Sequence, residues 1–259
     1  MSEPHGKFCW YELVTTDTEA AGAFYRQVLG WNLQDSGHPS MSYTLLNVGD
    51  HGIGGMMELP EEAGKAGARP GWMGYIWVRE VEAAADSVVA AGGKLHKAPD
   101  DIPGVGRFAV VSDPQGANFI LFRHFGDQVP PPVAPGTPGY IGWHELHAGE
   151  YNSALSFYSR QFGWTKGEAH DMGGPVGTYQ LFDIDGIQAG GMMNKMEVFP
   201  HPFWLYYFNV DDIDAAAARV TAAGGQVLMG PHMVPGGSWI LQALDPQGGM
   251  FALTKIVPM

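Results

Sequence analysis

The sequence predicts an α+β protein of two tandem domains, each made of two βαβββ modules. Three observations predict it: a doubled set of motifs, one helix-spaced apolar stripe per module, and short apolar runs cut by turn residues. Trp10-Tyr11-Glu12-Leu13 returns as Trp143-His144-Glu145-Leu146. Phe24-Tyr25 and Gly30-Trp31 return at the same offset of 133, as Phe157-Tyr158 and Gly163-Trp164. Further along the offset is 132. Trp72–Val78 is echoed by Trp204–Val210, Ala90-Ala91-Gly92-Gly93 by Ala222-Ala223-Gly224-Gly225, and the turn Asp113-Pro114-Gln115-Gly116 by Asp245-Pro246-Gln247-Gly248. With 37 glycines and 19 prolines in 259 residues, tight turns and short strands are favoured over long helices.

In order, residues 8–16 alternate enough for a strand, and Thr16 or Asp17 supplies an oxygen for the first amides of a helix. Ala20, Ala21, Phe24, Tyr25, Val28 and Leu29 fall on one face of that helix, and Gly30 is placed to stop it. Apolar runs near 31–35, 43–48 and 53–58 complete module 8–58. Trp72–Val78 opens module 72–123. Its helix carries Val81, Ala84, Ala85, Val88 and Val89, and its strands are expected at Lys94–His96, Gly106–Ser112 and Ala117–Phe122. Residues 1–123 thus form the first domain. Residues 124–139 are too rich in proline for helix or central strand and read as a linker. The second domain, 140–259, holds modules 141–194 and 204–256.

A net charge of −13 argues against nucleic acid and against an anionic membrane surface, because phosphates are held by clustered Lys and Arg. Cys9 is the sole cysteine, which rules out an intrachain disulfide and a thiolate metal cluster. Met1–Lys7 lacks the layout of a signal peptide and no run of about 18 apolar residues exists, so a cytoplasmic protein is expected.

The paired modules, the Phe-Tyr…Gly-Trp helix end, the Ala-Ala-Gly-Gly helix stop and the Asp-Pro-Gln-Gly turn resemble the vicinal oxygen chelate superfamily. That superfamily includes glyoxalase I, the fosfomycin- and bleomycin-resistance proteins and the extradiol dioxygenases; the tandem arrangement is similar to its two-domain glyoxalase group. The resemblance implies that each module pair curls into a U-shaped mixed sheet around a cavity, with helices outside. It also implies a divalent ion held there by His, Gln or Glu. Carried over residue by residue, the first-strand ligand falls on Trp10 and Trp143, the next on Met73 and Leu205, and the Glu after the turn on Ile120 and Ala252. Glu58 is the one acid near the remaining position, and its counterpart is Asn194. Indole, thioether and alkyl groups do not hold such ions. No cofactor is therefore expected, a divalent metal is disfavoured, and Glu58, Glu145 and His147 are only weak metal candidates.

Alternate residues of a strand share a face. With Trp10 and Trp143 facing the implied cavity, Glu12 and Val14 face it in the first domain, and Glu145 and His147 in the second. A carboxylate on an apolar wall is costly unless hydrogen-bonded or protonated. Glu12 and Glu145 are thus candidate general bases or anchors for a polar ligand group; the competing reading is a carboxylate satisfied by neighbouring groups in architecture common to both halves. His147 has no such twin, and with Glu145 it is a candidate proton-transfer pair. Met73, Tyr75 and Trp77 share one face, as do Leu205, Tyr207 and Asn209. Ligand contacts are expected from Trp10, Trp143, Met73, Tyr75, Trp77, Tyr207 and Asn209. The resemblance implies a lyase or isomerase acting on a small carbonyl compound, with extradiol dioxygenase chemistry less favoured. The alternative is a metal-free binding or resistance protein that sequesters an aromatic or amphipathic small molecule; a filled cavity serving as an interaction scaffold is a third. A monomer or homodimer fits either of the first two.

Overall fold

The computed structural model describes residues 4–38, 41–126, 133–174 and 176–256. The first module is β1 (Phe8–Thr15), α1 (Thr18–Leu29), β2 (Asn32–Asp35), β3 (Thr44–Val48) and β4 (His51–Glu58). A short exposed helix, α2 (Glu61–Lys65), follows where no element was expected. It buries nothing, and a Glu61–Lys65 ion pair of 2.8 Å spans its single turn. The second module is β5 (Gly71–Trp77), α3 (Val81–Ala90), β6 (Lys94–Ile102), β7 (Gly106–Ser112) and β8 (Asn118–His124). The third is β9 (Ile141–Ala148), α4 (Tyr151–Phe162), β10 (Thr165–Asp171), β11 (Thr178–Ile184) and β12 (Ile187–Asn194). The fourth is β13 (Phe203–Asn209), α5 (Ile213–Ala222), β14 (Gln226–Met233), β15 (Trp239–Leu244) and β16 (Met250–Lys255).

The α+β class and the tandem βαβββ repeat are as the sequence predicts. The strands form two eight-stranded mixed sheets, ordered β2-β3-β4-β1-β5-β8-β7-β6 and β10-β11-β12-β9-β13-β16-β15-β14. In each module the first and last strands pair parallel and the hairpins antiparallel. β6 runs well past the expected His96, because register shifts after Leu95 and Lys97 let the strand carry Pro99 along a sheet edge. Of the linker 124–139, residues 127–132 lie outside the described residues. Among those described, no helix is long and apolar enough to cross a membrane.

Packing groups the modules differently from their order in the chain. One compact unit combines the second and third modules, the other the first and fourth. The repeated motifs explain both units. Asp17 Oδ1 accepts from the Ala20 amide to start α1, and Gly30 ends it at φ 73°, a left-handed conformation that glycine adopts without strain. Trp31 then folds back on Tyr25, stacked at 5.5 Å, and its indole donates to the Gly139 carbonyl at 2.9 Å. Tyr25 accepts from the Trp72 indole at 2.9 Å and donates to Asp245 at 3.0 Å. In the other unit Trp204, Tyr158 and Asp113 repeat this line at 3.0 and 3.2 Å. Each helix tyrosine of one domain is therefore tied to the Asp-Pro-Gln-Gly turn of the other. The two Asp side chains also hold their own turns, Asp113 accepting from Gln115 and Ala117 and Asp245 from Gln247 and Gly249.

Candidate functional site

Each domain carries a buried carboxylate on its first strand, with a tyrosine laid over it: Tyr43 just before β3 in one, Tyr179 in β11 in the other. In the first domain Glu12 pairs in register with Gly55 of β4. A Cβ on Gly55 would come within 2.0 Å of the Tyr43 hydroxyl, so the glycine is what lets that ring cross the strand. The Tyr43 hydroxyl bonds to the Glu12 carboxylate and accepts from the Trp10 indole at 2.9 Å. Burial, and then the Glu12 charge, hold the phenol far above its ordinary range, so it stays a donor. Gly54, beside it, lies so close to the Tyr11 carbonyl that a Cβ there would stand 2.4 Å from the oxygen.

The second domain repeats the frame and adds to it. Glu145 pairs with Gly191, over which Tyr179 crosses, and the Tyr179 hydroxyl donates to Glu145 Oε2 at 2.8 Å. His147, two residues on and on the same face, places Nε2 2.9 Å from Glu145 Oε1. Its ring lies flat on Phe203 at 4.5 Å and meets the edge of Phe199 at 5.4 Å. His147 is fully buried, and its Nδ1 has no hydrogen-bond partner among the described residues. His144 points elsewhere: it stacks on Phe8 at 4.1 Å, and Nδ1–H donates to the Ala189 carbonyl at 2.8 Å. Burial pushes that imidazole down to about 4, so it is neutral.

The remaining sequence candidates are spread over the strands β5 and β13. Tyr75 is buried against the edge of Phe122, while Met73 and Trp77 are half-buried, the latter beneath the Arg123 guanidinium. Trp143 is half-buried on β9. In the fourth module a polar row crosses the sheet: Tyr207 pairs in register with Ala252, which pairs with Gln242. The small Ala252 lets the Gln242 amide reach over and donate to the Tyr207 hydroxyl at 2.7 Å. Asn209 is buried beside them and its Oδ1 has no partner among the described residues; Gly142 makes room for it, since a Cβ there would stand 2.1 Å from that oxygen. The corresponding row of the second module, Tyr75-Ile120-Val110, has no such amide.

Three comparisons bear on this arrangement. The sequence model of the glyoxalase/bleomycin resistance protein/dioxygenase superfamily matches the chain twice, at residues 7–121 and 140–253. The chain belongs to this superfamily. Among superfamily relatives it is 32% identical over 254 residues to the glyoxylase-like protein CFP32 of Mycobacterium tuberculosis, covering 96% of this chain and 94% of that one. It is 28% identical over 265 residues to the anthracycline biosynthesis protein DauV of a Streptomyces species, covering 97% and 94%. Among solved structures, the Mn(II)-bound glyoxalase of Novosphingobium aromaticivorans shares the fold at a TM-score of 0.63 and 20% identity, over 97% of this chain and 81% of that one. A 4-hydroxymandelate synthase mutant from Streptomyces coelicolor does so at 0.65 and 15%, over 99% and 95%.

The superfamily's metal does not fit the donors present. Among the described residues no three His, Cys, Asp or Glu side chains converge. Glu145 and His147 are a bonded pair of two, and Glu58 is exposed at the end of β4, in register with Thr15. At one ligand position Ala252 is overlaid by the Gln242–Tyr207 bond. The residues that complete the two carboxylate clusters, Tyr43 and Tyr179, are missing from the sequence prediction, as are Phe199, Phe203 and Gln242. A signal for the tyrosines exists: they stand 136 residues apart, the same offset as Gly54-Gly55-Met56-Met57 and Gly190-Gly191-Met192-Met193.

Proposed function

We propose that this superfamily member moves a proton on a small, enolisable carbonyl compound without a metal, using the Tyr179–Glu145–His147 line of the second domain. The observation that carries the reading is a buried imidazole held by a carboxylate through Nε2, with Nδ1 lacking a partner. With Nε2–H donated to Glu145, the lone pair of the neutral ring lies on Nδ1. A carbon-bound hydrogen next to the carbonyl passes to Nδ1 as a proton, and its electron pair moves to form an enolate. The new imidazolium is stabilised by Glu145, whose second oxygen is already fixed by Tyr179. Return of that proton to carbon completes an isomerisation or exchange. In this reading His147 is the base and Glu145 positions it. The Glu12–Tyr43–Trp10 cluster lacks the imidazole and is structural.

The test is hydrogen–deuterium exchange at the carbon of hydroxyacetone, followed by proton NMR in D₂O with chelator-treated protein. Wild type should exceed buffer, and His147→Gln should lose about 100- to 10,000-fold of the enzymatic rate. Glu12→Gln should keep it. Exchange by wild type no faster than buffer, or undiminished in His147→Gln, overturns the assignment.

A second reading rests on the fourth-module row. Asn209 offers a buried acceptor without a partner, next to an amide–phenol pair, and DauV is named for anthracycline biosynthesis. A planar ligand bearing a hydrogen-bond donor suits such a wall. Binding of a hydroxyanthraquinone that is lost in Asn209→Leu, with no exchange activity, would favour sequestration.

A further inference from the structure

His147 and its cover occur together. In the first domain the position of His147 is Val14 and that of Phe203 is Gly71, and residues 59–70, which join β4 to β5, contain no aromatic side chain. In the second domain residues 195–202 join β12 to β13 and bring Phe199 against the His147 ring at 5.4 Å. Phe203, the first residue of β13, stacks on that ring at 4.5 Å, and the two phenylalanines meet each other at 4.9 Å. The imidazole between them is fully buried, with Nδ1 unpartnered among the described residues.

The parts of this enclosure are not equally firm. Glu145 and Phe203 lie on strands, whereas Phe199 lies on neither strand nor helix. The connection that carries it is exposed at Glu197, Val198, Pro200 and His201, with Val198 open to 75%. Its root is fixed, since the Lys195 amide donates to the Ala148 carbonyl at 2.6 Å. The next two bonds are internal: the Phe199 amide donates back to the Met196 carbonyl at 3.0 Å, and the Lys195 ammonium donates forward to the Phe199 carbonyl at 2.8 Å. Pro200 and Pro202 have no N–H to offer a neighbouring strand. A segment with little buried apolar surface and local bonds opens at much lower cost than the sheet beneath it. Opening also gives Nδ1 the water that closure denies it, which offsets part of the lost Phe199 packing.

We infer that residues 195–202 are a lid over His147, latched by the bond from Lys195 to the Phe199 carbonyl. Of Glu145, Phe203 and Phe199, the last is the one that can leave the imidazole without breaking a strand. Closed, the lid keeps water from the ring; open, it frees Nδ1 to meet a small molecule. Its purpose rests on His147 being the base, because a lid shut over an enolate protects it from stray protonation. The first domain has neither the imidazole nor the aromatic cover, and its connection winds into α2 instead.

Access to His147 can be measured apart from turnover, as deuterium exchange at the Cε1 carbon of each histidine ring, followed residue by residue by mass spectrometry. In the wild type His147 should exchange at least about tenfold more slowly than the exposed His201. Lys195→Met removes the latch and should speed His147 by about tenfold, the worth of one hydrogen bond from a charged donor. Phe199→Ala should speed it further. His144, on the other face of the same strand, should keep its rate in both variants, and the thermal midpoint should be kept in Lys195→Met. A His147 rate unchanged in either variant overturns the inference, as does a rise that His144 shares, which would mark opening of the whole unit. If hydroxyacetone exchange instead survives His147→Gln, the base is lost while these ring rates stand, so the two failures are distinguishable.

Discussion

The two carboxylate clusters share a frame and differ in how they end. Around Glu12 the line runs from the Trp10 indole through the Tyr43 hydroxyl to the carboxylate, and the position two residues on is Val14. Around Glu145 the tyrosine is kept, Val14 is replaced by His147, and the line ends on a ring nitrogen with no partner among the described residues. Glycine under the tyrosine and pairing of Glu with that glycine are common to both. What recurs is therefore architecture: it lets a carboxylate sit on a strand at 5–6% exposure with hydrogen bonds supplied. What is unique to one copy is the imidazole of His147.

Removing each carboxylate separates these roles most sharply. Glu145→Ala leaves a buried imidazole and a tyrosine hydroxyl without the group they share, and should cost about 2–6 kcal/mol, about 1–3 for each of the two groups left unpaired. Glu12→Ala leaves Tyr43, which is only half-buried, and should cost about 1–3 kcal/mol. Urea unfolding of both variants gives the two numbers. Equal losses would break the distinction and return both clusters to a common structural role.

The same contrast shows what the sequence can and cannot disclose. The repeat, the helix stops at Gly30 and Gly163, the face shared by Glu145 and His147 and the opposite aim of His144 follow from local periodicity, and the structure places them so. The partners of the carboxylates do not, because Tyr43 and Tyr179 reach them across an intervening strand, and register between strands is a non-local property. The crosswise bonds of Tyr25 to Asp245 and Tyr158 to Asp113 are further out of reach. Phe-Tyr and Asp-Pro-Gln-Gly are legible as a helix end and a turn, but their meeting depends on which module packs on which. The roles assigned to Trp10, Trp143, Met73, Tyr75, Trp77, Tyr207 and Asn209 remain proposals about a ligand. The structure itself shows half-buried indoles at Trp10, Trp77 and Trp143, where Trp31, Trp72, Trp164 and Trp204 are buried.

Those crosswise bonds supply a matched pair against which the unmatched one can be judged. Tyr25→Phe and Tyr158→Phe each remove a hydroxyl that sits between an indole donor and a buried carboxylate, at distances equal within 0.2 Å across the two units. Each should cost about 1–3 kcal/mol, and the two costs should agree. Thermal unfolding of the two variants checks it. A large inequality would mean that the units are not equivalent even in their scaffolding, and the asymmetry of the Glu12 and Glu145 clusters would lose its special standing.

The smallest effect expected is on the pH dependence of stability. Burial raises both the Asp113 and the Asp245 carboxyl above the ordinary range, and the hydrogen bonds from the turn amides and the tyrosine lower them only in part. A carboxyl raised in the folded state holds its proton to higher pH there than in the unfolded chain. The stability it contributes is thus fully present below the unfolded-state value near about 4 and declines as pH rises through the folded-state value. Asn at both positions removes the titration. It also leaves each tyrosine O–H without its carboxylate acceptor, so Asp113→Asn/Asp245→Asn should be less stable at every pH. The decisive quantity is therefore the slope and not the level: wild-type stability relative to the double variant should fall as pH rises across the carboxylate range and become level above it. A wild-type advantage that instead grows with pH would mean that the turn amides outweigh burial and that both carboxylates are held below their ordinary range. Equal slopes in the two single variants would extend the match between the units from geometry to electrostatics.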